Sequence, residues 1–216
     1  MERQFADQIA VELAAVCELH NVHAIDEYLA THIPRPSWSR ILQSAAAQGA
    51  TQVATYCLQQ GATVDDQVLD GVICSKRSEP TYRFFVESGH VSVDYDIEHR
   101  GAMLGSVASS GRNSLVEYLL RKGANPNDRV QSRLRKTTLA CAAGLGDEKT
   151  LSLLLEYGAM LNGSGALVYA AQRGKVANVK YLLAKGADVD EMGIEDPADR
   201  HSLNNLGVSQ LILRSR

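Results

Sequence analysis

The chain has 216 residues, with 22 basic against 25 acidic residues and a net charge of −3. Its 45% hydrophobic and 22% charged content suits a packed fold and excludes a disordered chain, and the near-neutral balance excludes a chain-wide nucleic-acid footprint. The charged start Met1–Asp7 has no apolar core, and no apolar run reaches about 18 residues, so neither a secretory signal nor a membrane span is expected.

In chain order, the sequence repeats one pattern six times, and fixed-period self-similarity outranks other signals. The first copy is Leu13, Val16-Cys17, Ile25 and Tyr28-Leu29, with His20 at a position that is Gly in later copies. The second is Leu42, Ala45-Ala46, Gly49, Cys57-Leu58 and Gly61-Ala62. The third is degenerate: Asp70 replaces the leading Leu and Arg77 the middle Gly, around Ile73-Cys74, Phe85-Val86 and Gly89-His90. The fourth is Leu104, Val107-Ala108, Gly111, Val116, Leu119-Leu120 and Gly123-Ala124. The fifth is Leu139, Ala142-Ala143, Gly146, Leu151, Leu154-Leu155 and Gly158-Ala159. The sixth is Leu167, Ala170-Ala171, Gly174, Val179, Leu182-Leu183 and Gly186-Ala187.

One copy reads as two helices. Leu-x-x-Ala-Ala puts one large and two small residues on a single helical face, so a second helix can approach closely. The Gly that follows ends this helix in a left-handed conformation. Val179, Leu182 and Leu183 mark the apolar face of the second helix, which Gly-Ala closes. Such a pair is too thin to bury its own apolar face, so stability requires stacking on its neighbours.

The pattern Leu-x-x-Ala-Ala-x-x-Gly … Val-x-x-Leu-Leu-x-x-Gly-Ala resembles the ankyrin repeat, over about residues 10 to 190. The Thr-Pro-Leu-His opening of that family is nowhere intact; Thr138-Leu139 and Gly165-Ala166-Leu167 are its nearest remnants. Segments 161–167 and 186–193 are similar to divergent ankyrin proteins of filamentous fungi. The resemblance implies an all-α fold: an ankyrin-repeat solenoid of about six helix pairs. Residues 1–33 would form an N-terminal capping repeat, 34–187 the ankyrin repeats, and 188–216 an acidic loop with a C-terminal capping helix or tail.

The small residue that closes each Ala-Ala-type pair (Cys17, Ala46, Cys74, Ala108, Ala143, Ala171) recurs after 29, 28, 34, 35 and 28 residues. The helix pair keeps its length in every copy, so the variation lies in the loops between copies. Three loops are short and lack a protruding finger. Two are full: His90 to Gly101, and Asn125 to Lys136. The first is acidic, with Asp94, Asp96 and Glu98; the second is basic, with Arg129, Arg133, Arg135 and Lys136. A third acidic stretch follows the last repeat, from Asp188 to Asp199.

Catalytic and metal motifs are not evident. Gly163-Ser164-Gly165 is too short for a nucleotide loop and reads as a turn. His20 and His23 share a helical spacing near Cys17, but Cys17 holds a core position and His20 a helix end. Cys57, Cys74 and Cys141 also fall on helical repeat positions and read as small buried hydrophobes. Their spacings fit neither a zinc site nor a disulfide framework, which points to reduced thiols in a cytoplasmic or nuclear setting. No metal and no cofactor are expected.

In ankyrin proteins the two residues after the Ala-Ala pair point into a concave groove. The resemblance therefore implies Gln48, Lys76, Ser110, Gln172 and Arg173 as partner-binding residues. Tyr95 joins them as an aromatic anchor on the acidic finger, and Arg129, Arg133 and Arg135 as the basic finger. The expected function is a non-enzymatic module, monomeric, that binds an unknown protein of acidic surface, with nucleic acid and membrane disfavoured. The alternative is a groove that binds or turns over a small molecule with polar groups such as Arg173, Lys76 and His99.

Overall fold

The computed structural model describes residues 2–98, 100–128 and 136–188. Among them are twelve helices in six consecutive pairs. These are α1 (Glu2–Glu18) and α2 (Val22–Thr31), α3 (Trp38–Gln48) and α4 (Thr51–Gln59), and α5 (Asp66–Cys74) and α6 (Glu79–Glu87). Then come α7 (Met103–Ser109) and α8 (Asn113–Arg121), α9 (Thr138–Leu145) and α10 (Glu148–Glu156), and α11 (Ala166–Gln172) and α12 (Val176–Ala184). The chain divides into two compact units, Met1–Ser92 and Val93–Arg216.

Each unit has two layers. In the first, α3 packs between α1 and α5, while α4 packs against α2, α3 and α6. In the second, α9 packs between α7 and α11, while α10 packs against α8, α9 and α12. First helices thus stack on first helices and second helices on second, the nearest-neighbour arrangement of a solenoid.

The small residues carry this packing. Ala46, Ala108, Ala143 and Ala171 are all fully buried, as are the leading Leu42, Leu104 and Leu139. Leu167, the leading residue of the sixth copy, is only half-buried. Helix starts are fixed by side-chain caps: Asp65 Oδ1 accepts from Val68 N at 3.0 Å, Thr137 Oγ1 from Ala140 N at 3.1 Å, and Asp147 Oδ1 from Thr150 N at 2.8 Å. Asn178, buried on α12, donates through Nδ2 to the carbonyl of Ala143 at 2.8 Å and so satisfies the C-terminal end of α9.

Two expectations need correction. Gly49, Gly111 and Gly174 end their first helices at positive φ, and His20 does the same at φ 52, but Gly146 lies at φ −82 and ψ −155. Close approach demands glycine there instead: a Cβ would stand 2.6 Å from the Ala108 carbonyl oxygen and 2.9 Å from that of Ala142. Cys74 is exposed at the end of α5 rather than a buried hydrophobe. Cys17, Cys57 and Cys141 are buried as expected. Burial pushes the Cys17 thiol up to about 11; burial and then the neighbouring Cys17 push Cys57 up to about 12. Neither is a ready thiolate nucleophile.

The first long loop makes a finger. β1 (Asp96–Ile97) pairs antiparallel with β2 (Gly101–Ala102), Asp96 facing Ala102 and Ile97 facing Gly101. Buried Ile97 anchors the hairpin. Residues 129–135 of the second finger lie outside the described residues, as do His99 and 189–216, so Arg129, Arg133, Arg135 and the C-terminal tail have no described position.

Candidate functional site

In the first unit, α1, α3 and α5 face a concavity of about 520 Å³. Ala10, Ala14, Ser44, Ala47 and Gly71 make a floor of short side chains, and Gln43, Gln48 and Gln67 stand around it. The floor is bare because these first-helix positions carry only small residues, which also let the helices stack. Gln43 Nε2 donates to the Gln67 carbonyl at 3.1 Å, fixing one amide of the wall. At the turn side, Arg77 Nη1 donates to Glu18 and, at 3.3 Å, to Gln48 Oε1. Arg77 occupies the position that is glycine in the well-formed copies. There it joins groove-side residues of the first two copies to the third.

A second recess of the first unit, about 220 Å³, lies beside Glu12, Tyr28 and His32. Tyr28 OH donates to Glu12 Oε2 at 3.3 Å, and His32 Nε2 lies 3.4 Å from the same oxygen. His32 stacks on the Tyr28 ring, with centroids 3.8 Å apart, and its Nδ1 lies 2.8 Å from the Tyr28 carbonyl oxygen. Burial and then the Glu12 charge raise the Tyr28 phenol above its ordinary value. This cluster ties α1 to α2 and was not singled out from sequence.

In the second unit the corresponding face is built around Tyr169 of α11. Gly144 of α9 makes room for its ring: a Cβ on Gly144 would fall 2.4 Å from Tyr169 Cδ1. Lys136 Nζ lies over the ring, 3.9 Å from its centroid. Arg173 donates to Tyr169 OH from Nε at 3.1 Å and from Nη2 at 2.8 Å. Its guanidinium carbon is 5.2 Å from the ring centroid. The sequence reading placed Arg173 at this face and Lys136 in the basic finger, but not Tyr169, which joins them. A signal existed. At the position of Tyr169 the other copies have Ala15, Ser44, Val72, Ser106 and Cys141, all smaller, and the copy before it has Gly144 where others carry a side chain.

The remaining residues are spread out. Lys76 is exposed in the turn between α5 and α6. Ser110 is exposed at the end of α7, its hydroxyl donating to the Val107 carbonyl at 2.8 Å. Gln172 is half-buried at the end of α11, and Tyr95 is half-buried in the first finger.

The fingers are tied in series. Asp94 Oδ1 accepts from Asn125 N at 3.2 Å, Asn127 Oδ1 from Met160 N at 2.8 Å, and Asn162 Oδ1 from Asp188 N at 3.2 Å. Each acceptor meets the amide two residues past the closing glycine of the next copy. Asp128, at the start of the second finger, is held above the usual carboxylate range by burial first, then by the charges of Asp94 and Asp96. The second finger therefore begins with a carboxylate facing the acidic finger, and its cations come only afterwards in sequence.

No helix among the described residues is long and apolar enough to cross a membrane. The family model described as ankyrin repeats (3 copies) matches residues 72–192. No curated protein matches the chain. Among solved structures the chain is similar to the human ASB11 ankyrin repeat domain, at 19% identity and a TM-score of 0.65, over 94% of this chain and 97% of that one. The family model spans more than half of the sequence: the chain belongs to the ankyrin-repeat family.

Proposed function

We infer that the chain is a recognition module that binds a protein partner of acidic surface through its first-helix faces and fingers, as a monomer in the cytoplasm or nucleus. Ankyrin repeats generally serve as protein–protein interaction modules, and the details on this chain support that role here. The observation that carries the reading is the short-side-chain floor of α1, α3 and α5, walled by Gln43, Gln48 and Gln67. An open floor of Ala, Ser and Gly admits a backbone, and side-chain amides can both donate to and accept from it. In the first unit Gln48 and Lys76 are the contact residues proposed; in the second they are Tyr95, Ser110, Gln172 and Arg173, with Arg129, Arg133 and Arg135 on the second finger.

The test is a peptide-display selection with the full chain as bait. Selected peptides are expected to lose binding to Ala47→Arg, which fills the floor, and to associate more slowly with Arg133→Glu/Arg135→Glu, in a salt-dependent way. Peptides that bind both variants unchanged, with the fold intact by thermal melting, would refute the reading. A second reading is small-molecule binding in the same concavity, whose 520 Å³ falls within the range of ligand sites. Thermal stabilisation by a metabolite set, with no peptide enriched, would favour it.

A further inference from the structure

We propose that Lys136, Tyr169 and Arg173 form a receptor for one anionic group, a carboxylate or a phosphate, presented by a bound protein segment. This rests on the protein-recognition reading above and assigns the chemistry of one subsite within it.

The hydrogen-bonding capacity of this cluster is one-sided. Tyr169 OH accepts from both Nε and Nη2 of Arg173, which fills the two lone pairs of a phenol oxygen. What the hydroxyl still offers is its own hydrogen. Arg173 has five N–H groups and these two bonds use two; Nη1 keeps both of its own. Lys136, lying over the ring at 3.9 Å, brings three further N–H donors. The cluster thus presents donors from three side chains and no open acceptor. Its complement is a group made of acceptors.

The charge points the same way. Both cations lie close to one ring, at 3.9 and 5.2 Å from its centroid, so they are separated by no more than about a Debye length at physiological salt. Three arginines elsewhere are neutralised: Arg77 pairs with Glu18, Arg83 with Glu79, and Arg121 with Glu117. Lys136 and Arg173 have no carboxylate partner among the described residues. The ring that gathers them is itself fixed, because Tyr169 is seated against Gly144 and only 8% exposed. Arg173 is exposed and Lys136 half-buried, so the two cations reach the surface while Tyr169 itself is nearly covered. A held, donor-only pair of like charges at the surface is preorganised for an anion.

The experiment titrates the full chain with two probes, the amidated peptide acetyl-Glu-Glu-Glu and a peptide of the same length with a central phosphoserine. It follows the backbone amide NMR signals of Gln172, Arg173 and Gly174, which every side-chain variant keeps, and in the native chain the Arg173 Nε–Hε signal as well. The expected result is a saturable shift with at least one probe, weakened at least tenfold by Lys136→Gln/Arg173→Gln and largely restored by Arg173→Lys in an otherwise native chain. The probe that binds more tightly distinguishes carboxylate from phosphate. No saturable shift with either probe, or an equal affinity in the neutralised variant at an unchanged melting temperature, would overturn the proposal. Display-selected peptides that bind the neutralised variant as well as the native chain would overturn this subsite and leave the recognition reading standing. Anion binding in a chain that selects no peptide would do the reverse.

Discussion

Gly144→Ala sets helix propensity against packing. Alanine in a helix interior is favoured over glycine by roughly 0.5–1 kcal/mol, so propensity alone makes the variant more stable. The structure opposes this. The new Cβ would lie 2.4 Å from Tyr169 Cδ1, 2.5 Å from Cε1 and 3.0 Å from Cγ, so the whole ring must move. Inserting a methyl into a packed site costs about 1–3 kcal/mol. Moving the ring also withdraws it from Lys136, a contact worth about 0.5–1 kcal/mol at an exposed site. The lost contact offsets the propensity gain, so the expected net loss is about 1–3 kcal/mol, read as a lower urea midpoint at unchanged slope. A double-mutant cycle with Tyr169→Leu separates the causes: with the flat ring gone, the penalty should shrink and the propensity gain emerge. A higher midpoint for Gly144→Ala alone would refute the account of how Tyr169 is seated.

Ala143→Leu, at a fully buried contact of α9, is expected to cost about 1–3 kcal/mol by overpacking, and an unchanged chemical melt would contradict it. Asp147 is pushed up by burial, but bonds from Thr150 N, Asn113 Nδ2 and Thr150 Oγ1 outweigh this and hold its carboxyl below the ordinary value. A depressed folded value means the Asp147 contribution is complete above the unfolded value of about 3.9 and is lost as pH falls through the folded one. The stability difference between native chain and Asp147→Asn should therefore shrink below about pH 4; a constant difference down to pH 2 would rule this out. Native-state hydrogen exchange should find residues 65–90, with Asp70 and Arg77 replacing the repeat residues and Thr81 Oγ1 buried without a partner, less protected than 139–187. Equal protection would show that the degenerate repeat is compensated.

The repeat frame was legible because one short pattern fixes helix, face and stop at once. Leu42, Ala46 and Gly49 state it, and 104–111 and 139–146 restate it in register. What the pattern left open was why each residue is there. Gly49 and Gly146 look alike in sequence and both clear a carbonyl, that of Arg77 and that of Ala108, yet only Gly49 also supplies a positive φ. Cys74 sits on a core position of the pattern but at a helix end that its neighbours do not cover. The site was legible only in part for the same reason. Arg173 follows the Ala-Ala pair and was found by register. The seat of Tyr169 depends on a missing side chain 25 positions earlier, a compensation between copies that no single copy displays.

In the second unit the connections between successive helix pairs differ in length while the pairs do not. Residues 122–137 join α8 to α9, whereas 157–165 join α10 to α11, so one connection is nearly twice as long as the other. Closing a loop of doubled length costs only about 0.6 kcal/mol more. The same series of Asp and Asn acceptors that ties Asn125, Met160 and Asp188 holds the later connections near their base, so residues added beyond that base need not disturb the helices. Reach is therefore a nearly independent variable in this architecture. Lineages can lengthen or trim a single projection, and retune what it touches, without a compensating change elsewhere in the molecule.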